Sequence, residues 1–398
     1  MPGLTRKSGT QPAALQGVEE TLVGMLPQSR PLEAGVADNP ESMGAGGLRQ
    51  TADMQHSRRG DAPKGVPQLA RKGKKKRPPQ KTWGSFNQRR TRFPPQSECW
   101  GLKRGKAMNE KKLYESLVQG NPGWCELSGQ AIWRISGRDR IKYLNGQLPA
   151  DIASLPPGCA LQTAALNRKG RMDCELWIAH HPEFLFVDCP KEIEEATEKR
   201  LTSFLVADKV TIEKLGGQFY LYHYFSPDPP KGFSFCFQNK RFGIPGWDVW
   251  SERRLEDFGC PEVPPGVQES LRLENMIPRW GKELTSNTLA LEAFLSKDSI
   301  SFTKGCYVGQ EIISRIHHIG EINQLLTLLI ALDESIPQLG QLYYQSRPAG
   351  RLTSSGYSYG YNKAVALGYI RKEYRKEQGI VQIAGQSLKI LKAPPPIG

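Results

Sequence analysis

The feature that most constrains this chain is a break in apolar patterning at Met108. Before it, few apolar residues recur at helical or strand spacing, and the run "RKGKKKRPPQK" spans Arg71 to Lys81. Residues 1–107 hold 20 Lys and Arg against 8 Asp and Glu, whereas residues 108–398 hold 34 against 32, so nearly all of the +14 formal charge sits at the front. A segment so polar and so rich in Gly, Pro, Gln and Ser cannot bury enough apolar surface to offset chain entropy, which reads as a disordered basic extension over 1–107. Nucleic acid or an anionic membrane is expected to be touched, if at all, only through that arm. Glu19, Glu20, Glu33 and Asp38 interrupt it, so it fits a transit peptide poorly. Met108 opens "MNEKKLYESL", so the arm is either a true extension or sequence upstream of the real start. No stretch of about 18 apolar residues occurs, so no membrane partner is expected.

From Met108 the pattern is globular. "LYESLVQG" reads as a short helix, "WCELSGQAIWRISG" as strands, and "RDRIKYLNGQ" as a helix stopped at Asn145–Gly146. Strands joined by turns at Lys169–Gly170 and His181–Pro182 follow, then an amphipathic helix over Lys191 to Val206. "KVTIEKL" and "GQFYLYHYF" read as strands, and "WSERRLEDFG" and "VQESLRLENMI" as helices. Strands interrupted by single helices give an α+β class rather than a doubly wound parallel sheet. Beyond Leu325 the helices thin out, and short β runs separated by Gly, Pro and Asn predict a small β-barrel over 324–398.

The eight cysteines lie at least 15 residues apart and no histidine pair has H-x-x-x-H spacing, so no metal site is expected. Without a signal peptide the thiols are expected free, in a reducing compartment. One cysteine stands out. In "SFTKGCYVGQEIISRIHH" Cys306 follows Lys304–Gly305 and precedes a helix opening at Gln310–Glu311. A helix N-terminus and a nearby ammonium both favour thiolate over thiol. The same spacing also fits a small packed residue beside a tight turn.

Three stretches together carry a family resemblance. They are "RLENMIPRWGKELTSNTLALEAFL" (Arg272 to Leu295), "SFTKGCYVGQEIISR", and "AGRLTSSGYSYGYNKAVALGYI" (Ala349 to Ile370). In this order they resemble the YgfZ/GcvT-related family of folate-binding proteins, similar in fold to the aminomethyltransferase (T-protein) of glycine cleavage. The string K-G-C-Y-x-G-Q-E, Lys304 to Glu311, is the YgfZ hallmark. The resemblance spans about residues 113 to 392. It implies an α+β folate-binding domain over 108–323, with the barrel completing the pocket wall. It implies tetrahydrofolate, or a one-carbon derivative, as cofactor, and iron–sulfur proteins, tRNA-modifying radical enzymes among them, as clients. The compartment implied is cytoplasmic, or mitochondrial in a eukaryote.

By the same resemblance Cys306 is the functional thiol, tuned by Lys304, with Tyr307, Gln310 and Glu311 around the ligand. Asp173, in "KGRMDCEL", stands where T-proteins carry a folate-contacting aspartate. Glu274 lies on a helix beside the pocket. Where T-proteins have G-Y-T-G-E-x-G, this chain reads "RFGIPGWDVW", so Trp247 follows Gly246 and the pterin-gripping carboxylate is missing. Trp247 would stack on a flat ring instead, and Asp248 falls one position late, on the opposite strand face. That departure makes an iron–sulfur assembly factor the expected function. A folate-dependent aminomethyltransferase is the alternative.

Overall fold

The computed structural model describes residues 104–293, 297–318, 320–375 and 379–392; the basic run at 71–81 lies outside them. The first helix, α1 (Arg104–Val118), begins four residues before Met108. Strands β1 (Gly123–Glu126) and β2 (Gln130–Ser136) follow, then α2 (Arg140–Gln147), β3 (Ala160–Leu166), β4 (Met172–His180), β5 (Leu185–Pro190), α3 (Glu194–Thr202) and β6 (Thr211–Lys214). The helix expected from Lys191 opens as a 3-10 turn at Lys191–Ile193 before settling into α3. Next come β7 (Tyr220–Phe225), β8 (Cys236–Asn239), β9 (Gly246–Ser251) and α4 (Pro265–Glu274).

These strands make two antiparallel sheets, ordered β3-β4-β5-β2-β6 and β1-β7-β9-β8. Period-two alternation assigns the faces of the first. Ala131, Trp133 and Ile135 join Cys174, Leu176 and Ile178 in a core closed by Tyr143 and Leu144 of α2 and Leu201 of α3. On the other face Ile132, Ala179 and Phe186 pack on Leu221, Phe237 and Trp250 of the second sheet, with the Phe186 and Trp250 rings stacked at 4.3 Å. The sequence from Trp250, expected as a helix, instead ends β9: Trp250 pairs with Leu221 and is 2% exposed. Burying an indole between sheets outweighs the local helical spacing of "SERRLEDF".

The expected barrel is present. After α5 (Gln310–His318), strands β10 (Gln324–Ala331), β11 (Gly340–Tyr344), β12 (Arg347–Ser358), β13 (Lys363–Arg371), β14 (Ile380–Ile383) and β15 (Gln386–Lys392) close in the order β10-β13-β12-β11-β14-β15. Leu329, Leu342, Leu352, Ile370 and Leu388 fill its interior. α1 ties to it through Glu110, which accepts the Tyr359 hydroxyl at 2.5 Å. No helix among the described residues is long and apolar enough to cross a membrane.

Candidate functional site

A cavity of about 350 Å3 opens between the first sheet, α4 and the turn joining β8 to β9. Glu175 and Trp177 reach it from alternate positions of β4, and Gln162 from β3. Arg241 and Phe242 come from the β8–β9 turn, and Glu269 and Arg272 from α4, with Arg279 just beyond. All lining residues fall between Leu127 and Arg279, so the barrel does not complete the wall. It is joined to the wall indirectly, by Glu283, which takes Arg272 on one oxygen and Thr353 and Ser354 of β12 on the other.

The buried charges around the cavity are hydrogen-bonded or ion-paired. The Glu175 carboxylate accepts from Gln162 Nε2 at 2.7 Å and from the Trp280 backbone N–H at 2.9 Å, while burial pushes its carboxyl up. Arg241 lies over the Trp177 ring, 4.1 Å from its centroid, and is gripped bidentately by Asp188 and by Asp248. Burial raises the Asp188 carboxyl. It opposes ionisation of Asp248 too, but Arg241 and the His223 N–H, 2.8 Å away, hold that carboxyl down. Arg272 donates to both oxygens of Glu269, and Arg279 approaches the same carboxylate at 3.5 Å with its side chain half exposed.

The expected residues fall in four places. Asp173 does not line the cavity. The β3–β4 ladder slips between Ala165 and Leu166, which leaves Asp173 as the extra residue of a β-bulge. Its carboxylate accepts from Arg200 of α3 at 3.2 Å and from Asn167 at 3.4 Å. Trp247 lies outside the cavity lining too, while Asp248, one residue on, holds Arg241. Glu274 is buried and takes Ser270, Ser358, the Gly360 N–H and Tyr114, so it locks α1, α4 and the barrel together.

The K-G-C-Y-x-G-Q-E residues form a separate cluster at the start of α5. Cys306 is exposed, on a turn rather than packed. Tyr307 is buried among Leu166, Met172 and Ile313, and burial pushes its hydroxyl up to about 12. Gln310 and Glu311 open the helix, with Glu311 exposed. Lys304 points its ammonium at the carbonyls of Asn145, Leu148 and Ala150, and burial lowers it to about 8. Gly309, at φ +88°, sits where a Cβ would lie 2.6 Å from the Asn167 carbonyl oxygen. Gly309→Ala is therefore expected to cost roughly 1–3 kcal/mol, read as a lowered Tm; an unchanged Tm would contradict this tight approach.

Glu175, Arg241 and Asp188 were not singled out from the sequence. The available signal was a charged side chain inside each of two apolar strands, "CELWIA" and "LFVDCP", at the parity of one sheet face.

The C-terminal part, residues 323–397, matches the glycine cleavage T-protein C-terminal barrel domain. The mitochondrial iron-sulfur cluster assembly factor IBA57 of Mus musculus is 26% identical over 302 residues, 67% of this chain and 78% of that protein. The tRNA-modifying protein YgfZ of Pectobacterium carotovorum is 25% identical over 256 residues, 55% of this chain and 73% of that one. Together these similarities support a YgfZ/GcvT-related family for the chain. A crystal structure of the glycine cleavage aminomethyltransferase T from Bartonella henselae shares the fold, with a TM-score of 0.60 at 17% identity over 72% of this chain and 88% of that one. In this YgfZ/GcvT-related chain the cavity and the thiol turn are thus built by different elements: one by β3, β4 and α4, the other by the lead into α5.

Proposed function

We propose that this chain binds a reduced folate in the cavity and assists the assembly or repair of iron–sulfur proteins, with Cys306 as its reactive group. The observation that carries the folate reading is Glu175, a buried carboxylate in the same wall as the flat Trp177–Arg241 pair. A pterin offers adjacent N–H donors to a carboxylate and a flat face for stacking on such a pair. The half-exposed Arg279 is placed to meet the carboxylates at the other end of the molecule. The residues present therefore fit tetrahydrofolate, which when bound would supply nitrogens that carry a one-carbon unit.

The iron–sulfur reading draws on the mouse relative, and tRNA-modifying enzymes as clients on the name of the Pectobacterium one. Cys306 supports it as a solvent-facing thiol that an iron or a client can reach. The compartment is proposed as cytoplasmic or mitochondrial, the second matching a word in the IBA57 name.

Titration of the full chain with 5-formyltetrahydrofolate under reducing conditions tests the cavity. Saturable one-to-one binding is expected, weakened about 10- to 100-fold by Glu175→Gln, as for a lost charged hydrogen bond. Asp173→Asn is expected to change it little. Because an ionised Glu175 would accept hydrogen bonds from the ligand's N–H groups and burial raises its carboxyl, affinity should fall as pH drops through that raised value. No binding at millimolar ligand would reject the folate reading. Glycine-derived aminomethyl transfer with a lipoyl carrier protein is expected to be silent, and turnover there would favour the transferase.

A further inference from the structure

The lysine of the thiol motif is committed elsewhere. Lys304 Nζ lies 2.7 Å from the Asn145 carbonyl oxygen, 2.6 Å from that of Leu148 and 2.5 Å from that of Ala150. The Asn145 side-chain oxygen adds a fourth, longer contact at 3.3 Å. Backbone carbonyls only accept, so three short contacts require three N–H donors, which an ammonium has and a neutral amine lacks.

The local sequence explains why those carbonyls are available. The helix α2 ends at Gln147 with Leu148 as its cap, and residue 149 is proline. The carbonyl of Asn145 would ordinarily accept the N–H four residues on, and Pro149 has none. A helix C-terminus also carries partial negative charge that favours a cation. Lys304 thus completes a helix end that its own chain cannot.

The motif is fixed on both sides of the thiol. Upstream, the Ser301 N–H donates to the Pro149 carbonyl at 2.9 Å, beside the Lys304 contacts. Downstream, Tyr307 is buried in the core below α5, its ring 5.0 Å from the Lys304 ammonium, and Gly309 abuts the Asn167 carbonyl. Cys306 lies between these anchors and is itself exposed. The charged group acting on Lys304 from the α2 side is Asp151, which opposes the effect of burial.

We propose that Lys304 is a positioning residue. Its ammonium clamps the thiol-bearing turn to the C-terminus of α2, and Cys306 owes its reactivity to presentation on that pinned turn rather than to the charge of Lys304. That Cys306 acts on iron or on a client rests on the function proposed above; the clamp does not.

The test compares the full-length chain with Lys304→Met, following two quantities. One is the pH profile of Cys306 alkylation by iodoacetamide, read on its own peptide by mass spectrometry. The other is amide hydrogen exchange across residues 145–152 and 301–309. Loss of the clamp is expected to cut protection in both segments by about tenfold or more, with the midpoint of the alkylation profile unmoved. A midpoint raised by about one pH unit would show the ammonium acting on the thiol itself and overturn the proposal. Unchanged protection would overturn it as well. Should Lys304→Met fail to fold, the native protein still decides. Brief acetylation should modify Lys304 at least about tenfold more slowly than Lys372, whose side chain is 45% exposed. Equal rates would reject the clamp. Neither readout involves folate, so this proposal and the cavity reading fail separately.

Discussion

Arg241→Leu is expected to lower the folding stability by roughly 3–5 kcal/mol at pH 8, because it strands two buried carboxylates. Asp188 and Asp248 are 2% and 1% exposed, and their shared cation is this one guanidinium. With it gone, only the His223 N–H remains on Asp248, whose carboxyl would move above its unfolded value, while the Asp188 carboxyl, already raised by burial, would move further up. A carboxyl raised in the folded state binds protons there that the unfolded chain has released, so stability falls as pH rises through the raised value. The deficit of Arg241→Leu should accordingly shrink between pH 8 and pH 5. Urea denaturation at the two pH values measures this. Adding Asp188→Asn and Asp248→Asn should recover most of the loss, since neutral amides need no counter-charge. A loss under about 1 kcal/mol at pH 8 would mean that water reaches these carboxylates and that the cavity wall is less dry than its packing indicates.

Glu283→Ala carries the second large effect, of about 3 kcal/mol. This carboxylate is 1% exposed and serves four donors: Arg272 and the Arg279 N–H on one oxygen, Thr353 and Ser354 on the other. Truncation leaves a buried guanidinium with Glu269 as its remaining carboxylate, the Ser354 hydroxyl without its acceptor, and Thr353 with the Leu367 carbonyl alone. Because the four donors come from α4, the segment after it and β12, the variant should also loosen the barrel against the cavity wall. Amide exchange in β12 should rise together with the drop in stability. Glu283→Gln keeps acceptors for the hydroxyls and should lose clearly less. Equal losses for the two variants would show that charge on Arg272, rather than the shared bridge, accounts for the effect.

Much of the fold was legible along the chain. Alternation in "QAIWRIS" and "MDCELWIAH" marked strands, and Gly, Pro and Asn between short β runs marked the barrel. Both are local patterns that burial on one face imposes. The helix expected at "WSERRLEDFG" failed because Trp250 is claimed by a sheet partner, Leu221, that lies 29 positions earlier. The candidate site was legible only in part. Its neighbours in sequence put Cys306 just before a helix, and it does stand exposed there.

Local alternation sets the parity of β4, and with it that Glu175 and Trp177 share a face. The stop of α2, expected at Asn145–Gly146, falls instead at Gln147, two residues before Pro149, whose missing N–H leaves the Asn145 carbonyl over. The folded chain alone takes Asp173, through a bulge, off that face to Arg200, and meets the leftover carbonyl with Lys304. It likewise decided that Asp248, rather than Trp247, would serve the cavity, by way of Arg241. The physical reason is one of range. Strand parity and a missing N–H act within a few residues, whereas a buried charge is satisfied by whatever partner the folded chain brings to it, 159 residues away for Lys304 and 249 for Glu110.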